Sequence, residues 1–204
     1  MTAGLETLKK KGVTEKEIPE HLIYEMYMGQ PIYYRGYEEV LAGTKTFEQI
    51  MGDSSLQGWL KTWLGHIFIN LLYEKGYEII VGELGITFKK GDWRAADVAI
   101  FKVADFELNN QYTKAVPEFI FEIDTKANTK QVGGYMKYVS DKTNQYLEHG
   151  VKKVFWIFTN AGAVLEASEK DNFQVNSWDK DLQIMEGVTV NIAQMIENRR
   201  KPTA

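Results

Sequence analysis

Two apolar runs with carboxylates inside them restrict this chain more than any other feature. They are Trp93-Arg94-Ala95-Ala96-Asp97-Val98-Ala99-Ile100-Phe101 and Glu118-Phe119-Ile120-Phe121-Glu122-Ile123-Asp124-Thr125-Lys126. Both have the composition of central strands. In a strand, alternate side chains share a face, so Glu122, Asp124 and Lys126 are predicted on one side and Phe119, Phe121 and Ile123 on the other. A carboxylate on a buried strand is costly unless it is ion-paired, hydrogen-bonded or bound to a cation. A site for a divalent metal is one economical reason to place such groups there.

The surrounding pattern predicts a mixed α/β sheet with helices over it. Leu22 to Tyr37 reads as a hairpin around Gly29-Gln30-Pro31, and a helix is expected from about Glu38 to Met51. Asp53-Ser54-Ser55 is an N-cap signal for the clearest helix. Its apolar residues Leu56, Trp59, Leu60, Trp63, Leu64, Ile67, Phe68, Leu71 and Leu72 form one stripe that ends at Gly76. Trp59 and Trp63 are expected in the core. Tyr77–Val81 and Leu84–Phe88 read as strand, with Gly82 and Gly85 marking a bulge or bend. A second long helix is expected over Thr129–His149, then an apolar strand over Val154–Phe158. Short antiparallel strands follow over Val164–Val190, and a last helix begins near Asn191.

Composition sets outer limits. At 204 residues and 44% hydrophobic content the chain can bury a core, expected as one domain over 1–204 with 1–21 as a lead-in. A net charge of -4 neither favours nor excludes a nucleic-acid partner, since local patches matter more than the sum. The absence of cysteine removes thiolate chemistry and cysteine-bound zinc. The first residues carry Lys9-Lys10-Lys11 and no apolar signal region, and the longest apolar run, Ile67–Tyr73, is far too short to span a bilayer. The expectation is a cytoplasmic protein with no membrane role.

An Asp on one core strand followed by an acid-x-Lys set on the next resembles the PD-(D/E)xK nuclease superfamily. More closely, the chain resembles a large bacterial family of restriction-endonuclease-like proteins. The resemblance runs from about Ile18 to Ile196 and rests on four short features. They are Gly82-Glu83-Leu84-Gly85-Ile86, Asp97-Val98-Ala99, Pro117-Glu118-Phe119-Ile120-Phe121-Glu122-Ile123, and Tyr146-Leu147-Glu148-His149-Gly150-Val151 leading into Val154-Phe155-Trp156-Ile157. Two departures stand out: Ala96 occupies the position where Pro is usual, and Asp124-Thr125-Lys126 stands where the family has a Ser-Pro turn. The resemblance implies a restriction-endonuclease-like core over 55–158, flanking helices, and a β-rich extension over 164–190.

It also implies hydrolysis of DNA phosphodiester bonds with magnesium or manganese held by Asp97, Glu122 and Asp124. Hard oxygen ligands suit those ions better than zinc. The lysine that orients water and offsets charge is Lys126, by the acid-x-Lys spacing, or Lys142, which stands four before Tyr146 as the narrower family favours. A homodimer is plausible for cutting both strands. Plainer readings stand beside these. Asp124 and Lys126 could form an exposed salt bridge, and Glu83 either an extra ligand or a surface acid. Lys137, Lys142, Lys152, Lys153, Arg199, Arg200 and Lys201 could flank a nucleic-acid groove or be ordinary solvated cations. Tyr33, Tyr34 and Arg35 could touch a backbone or cover a core edge. His21, His66 and His149 lack metal-ligand spacing; His149, near a helix C-terminus, suits the dipole there. The second function class is a nuclease-fold protein without catalysis, serving as a binding or interaction module.

Overall fold

The computed structural model describes residues 18–199. Residues 1–17, most of the expected lead-in and including Lys9-Lys10-Lys11, and residues 200–204, including Arg200 and Lys201, lie outside the described residues. The chain opens with the hairpin β1 (Ile23–Tyr27) and β2 (Gln30–Tyr33), turning through Met28 and Gly29, both at positive φ. Two short helices, α1 (Tyr37–Leu41) and α2 (Glu48–Met51), follow. One continuous helix was expected here; Gly43, at φ 71°, interrupts it.

Helix α3 (Ser55–Leu72) starts where its sequence predicts. Ser54 accepts from the Gln57 backbone and the Gln57 side chain accepts from the Ser54 backbone, forming a capping box. Strands β3 (Tyr77–Lys89) and β4 (Asp92–Lys102) pair antiparallel, with an irregularity between Val81 and Leu84 at the predicted bend. Then come β5 (Phe119–Ile123), helix α4 (Tyr135–Glu148) and β6 (Lys153–Phe158). Gly133 and Gly134, both at positive φ, separate α4 from a 3-10 turn over Thr129–Val132, so the helix begins later than expected. Strands β7 (Ala163–Glu169) and β8 (Asn172–Ser177) extend the sheet. The small pair β9 (Leu182–Met185) and β10 (Val188–Val190) and helix α5 (Ile192–Glu197) complete the described chain.

The eight-stranded sheet runs β2-β1-β4-β5-β6-β7-β8, with β3 also on β4. Strands β5 and β6 are parallel; the other pairs are antiparallel. This is the mixed α/β sheet with flanking helices that the sequence predicts. Helix α3 covers one face, packing Leu60, Leu64, Phe68 and Leu72 on Val98, Ile100, Phe121 and Phe155. Helix α4 covers the other, packing Tyr138, Val139 and Tyr146 on Ala99, Ile120, Val154 and Trp156. Among the described residues no helix is long and apolar enough to cross a membrane.

The buried stripe of α3 is rotated from its expected position. Lys61 and Gly65 lie inside it, whereas Trp63 is 43% exposed and Trp59 is half-buried. Gly65 permits this, because a Cβ there would stand 2.5 Å from Val81 Cγ2. The helix therefore sits close over β3 on its glycine edge; Trp59 packs partly buried against the core, as expected, whereas Trp63 faces outward beside Met195 and Arg199.

Candidate active site

Strand β4 gives one edge to β3 along its length and divides the other. Val98, Ala99 and Ile100 pair with β5, whereas Trp93 pairs with Met26 of β1. Asp97 lies where the edge passes from one neighbour to the next. Continuing the β4–β5 register by one residue sets Asp97 opposite Glu122. At this fork the ladder stops, and Asp97 substitutes for it: its Oδ2 accepts from the Ile123 backbone at 2.7 Å.

Both carboxylates are buried, Asp97 at 6% exposure and Glu122 at 1%. Each has a lysine. Lys61 Nζ, from α3, lies 2.7 Å from Asp97 Oδ1 and 2.8 Å from Asp53 Oδ2. Lys142 Nζ, from α4, lies 3.0 Å from Glu122 Oε1 and 2.7 Å from Glu25 Oε1, and donates to the Ala95 carbonyl at 2.7 Å. The Tyr146 hydroxyl donates to Glu122 at 2.9 Å. Lys142 thus takes the helix position that the family resemblance singled out, and it is fully buried rather than a solvated cation.

Glu25 and Arg94 extend the network under α4. Glu25 accepts from Arg94 Nη1 at 3.0 Å, Tyr138 Oη at 2.8 Å and the Ala95 backbone at 3.1 Å. The Arg94 guanidinium lies over the Tyr27 ring, 4.2 Å from its centroid. Burial pushes the Glu25 carboxyl up, but Lys142 and Arg94 outweigh it and hold the group below its ordinary value. Burial also pushes Glu122 up. Its share of Lys142 offsets this only in part, the Asp97 and Glu25 charges oppose ionisation, and the carboxyl rises to about 8. Asp97 is raised as well, burial outweighing Lys61. For Lys142 and Lys61, burial favours the neutral amine, but the facing carboxylates outweigh it and both are held above the ordinary lysine value.

The acid-x-Lys segment does not keep the predicted alternation. Strand β5 ends at Ile123, and Asp124 turns off at φ 54°. Its carboxylate accepts from the Thr159 backbone at 3.0 Å and the Thr159 hydroxyl at 2.6 Å, which ties the ends of β5 and β6 together. Glu122, Asp124 and Lys126 therefore serve three different partners. Lys126 pairs with Asp53 at 2.9 Å and with Glu83, so of the readings considered for Asp124 and Lys126 their mutual salt bridge does not form, and Glu83 is a partially exposed partner of Lys126. Lys137, Lys152 and Lys153 pair with Asp141, Glu118 and Glu166. Tyr33 is core, Tyr34 is half-buried, and Arg35 is exposed. His149 is the C-cap of α4, and burial lowers its pKa.

Sequence reasoning missed Glu25, Lys61 and Arg94. Lys61 stood next to the apolar stripe without apolar character, and Glu25 interrupts an alternating hairpin strand (Tyr24, Met26, Met28) on its opposite parity. Only the register across distant strands gives these charges partners.

A cleft of about 500 Å³ opens at the C-terminal ends of the parallel pair, lined by Arg35, Gln57, Asp124, Tyr135, Phe158 and Asn160. Such a position is where open α/β sheets bind ligands. Asp124 is the carboxylate that lines it, and the buried Asp97 and Glu122 do not; Gln57 donates to the Ile123 carbonyl, and burial with the Asp124 charge raises the Tyr135 phenol to about 12.

Among the described residues no three acidic or imidazole side chains stand together as a ready-made metal cage. Two pairs of carboxylates each share one lysine, Asp53 and Asp97 on Lys61 and Glu25 and Glu122 on Lys142, and the Asp97 charge is felt at Glu122. Two hard oxygen donors suit magnesium, which keeps several water or phosphate oxygens in its shell rather than taking all its ligands from protein. The cation position beside Asp97 is held by the Lys61 ammonium, itself shared between two carboxylates.

No protein-family model and no curated protein matches the chain. Among solved structures it is similar to a protein from Anabaena variabilis ATCC 29413, described as a "putative nuclease belonging to DUF820". The TM-score is 0.62 at 12% identity, covering 92% of this chain and 95% of that one. The likeness is one of fold.

Proposed function

We propose that this chain is a divalent-metal-dependent nuclease of the PD-(D/E)xK type that hydrolyses DNA phosphodiester bonds. The observation that carries the reading is the fork at Asp97. There Asp97, one residue beyond the last β4–β5 pair, accepts from the Ile123 amide, and the neighbouring buried Glu122 meets the buried Lys142. Asp97 and Glu122 would hold magnesium or manganese, and the ion when bound supplies Lewis acidity and a more acidic water.

The protein's own groups do the rest. The Ile123 amide fixes one oxygen of Asp97 and leaves the other for a cation. Lys142, pinned by Glu25 and the Ala95 carbonyl, orients Glu122 and offsets negative charge near it. Arg35 lines the cleft, where a phosphate backbone would pass, and Lys126 stays bound to Asp53 and Glu83; Asp124 stays in its structural role with Thr159 and outside the ligand set.

The test is magnesium-dependent nicking of supercoiled plasmid by wild type, Asp97→Ala and Glu122→Ala. Nicking lost in both variants supports the reading; equal nicking in all three marks a contaminant and overturns it. One observation favours a second reading, that of a binding module on a nuclease fold. Lys61 and Lys142 already neutralise both carboxylates, so the fold satisfies them without a metal. Salt-sensitive DNA binding with no cleavage would select that reading.

A further inference from the structure

We infer that Lys61 is a resident counter-ion of Asp97, which a divalent metal must displace and which then withdraws to Asp53; this rests on the proposed metal reading. The two lysines of the site are held very differently. Lys142 is enclosed by Glu25, Glu122 and the Ala95 carbonyl and has nowhere else to go. Lys61 has two carboxylate partners on separate segments: Asp97 in the sheet at 2.7 Å, and Asp53 just ahead of α3 at 2.8 Å. Releasing the first leaves the second in place, so the ammonium keeps a partner after it moves.

The oxygens of Asp97 differ in the same way. Oδ2 accepts from a backbone amide that cannot leave, whereas Oδ1 meets the Lys61 ammonium and, among the described residues, no other partner. An incoming cation therefore competes with Lys61 for Oδ1. Asp53 is already the more exposed end of the pair and also holds Lys126 through its other oxygen. Withdrawal of Lys61 toward it brings positive charge nearer the side of the cleft formed by Ser54 and Gln57, where a phosphate would approach. In this arrangement metal entry and the gain of positive charge at the rim are one event. A cation lost from a partly buried carboxylate pair removes a large repulsion from an arriving divalent ion.

The test is direct Mn²⁺ titration of the full chain, read by the free-ion electron paramagnetic resonance signal, with folding checked by circular dichroism. Wild type is compared with Lys61→Met, Lys61→Gln and Lys61→Arg. Lys61→Met and Lys61→Gln are expected to bind Mn²⁺ at least about tenfold more tightly than wild type. Lys61→Arg, which keeps the charge, is expected to stay near wild type. Lys61→Gln serves if the Met variant does not fold. Affinity that is unchanged or weaker in the folded neutral variants overturns the displacement idea while leaving the metal reading intact. No Mn²⁺ binding by any folded chain overturns the metal reading, and the role of Lys61 with it.

Discussion

Lys142 Nζ stands 3.0 Å from Glu122 Oε1, with neither side chain more than 2% exposed. The same ammonium is 2.7 Å from Glu25, so one cation from α4 is divided between carboxylates of two different strands. Arg94 gives Glu25 a second cation, and Glu122 receives no comparable help. This asymmetry explains why one glutamate is held ionised while the other is pushed toward its acid form.

Replacing Lys142 with Met should destabilise the protein by about 3 kcal/mol, the lower end for breaking a buried ion pair. The loss is limited because Arg94 still serves Glu25 and Glu122 can take up a proton. Urea denaturation of Lys142→Met beside the Lys142→Met/Glu122→Gln double variant checks this. The double variant should recover part of the loss, since it removes the stranded acid.

Glu122 also sets a pH dependence. In the folded chain its proton is retained to about pH 8, whereas an unfolded chain releases it near the ordinary value of 4.5. The folded state therefore binds more protons across that interval, and stability falls as pH rises through it. Asp97, also raised, adds in the same direction. Glu25, lowered, acts oppositely: its contribution is present above 4.5 and lost as pH falls through its folded value. Urea midpoints measured with a chelator should decline from about pH 5 to about pH 8, and Glu122→Gln should flatten that slope.

Asp124→Ala should cost about 1–3 kcal/mol of stability, because the Thr159 amide and hydroxyl lose their acceptor and Ala tolerates the positive φ poorly. Mn²⁺ affinity should stay within about twofold of wild type, less than the tenfold that 1.4 kcal/mol of lost binding would give. Thermal melting and metal titration on the same sample separate the two effects. A large loss of affinity with little loss of stability would return Asp124 to the ligand set.

Arg35 extends into the cleft from the hairpin side and is exposed. Arg35→Ala should weaken DNA binding about equally across sequences and reduce the salt slope of binding by about one. Fluorescence anisotropy with a labelled oligonucleotide in calcium, over a series of salt concentrations, is the measurement. An unchanged slope would place the nucleic-acid path elsewhere.

Much of this was legible in the residues. The Ser54 cap, the Gly76 stop and the bend near Gly82 are local signals, written in side chains a few positions apart, and they placed α3 and β3 closely. The burial of Asp97 and Glu122 could be read from their apolar neighbours, and the position of Lys142 from its spacing to Tyr146. Partners were not legible. Glu25 meets Arg94 across 69 residues, and Lys61 reaches Asp97 from a helix on another layer. Period-2 alternation also failed at Asp124, because a strand's end is set by where its neighbours stop pairing.

The chain by itself determined most of the strands and helices and the burial of Asp97 and Glu122, because periodicity and capping act over single turns and pleats. Tertiary structure alone decided which cation serves which carboxylate. That choice depends on sheet register, on the fork where β4 leaves β5, and on the close approach at Gly65 that turns Lys61 inward. Coulombic pairing in a buried site follows distance in space, and the sequence records only distance along the chain.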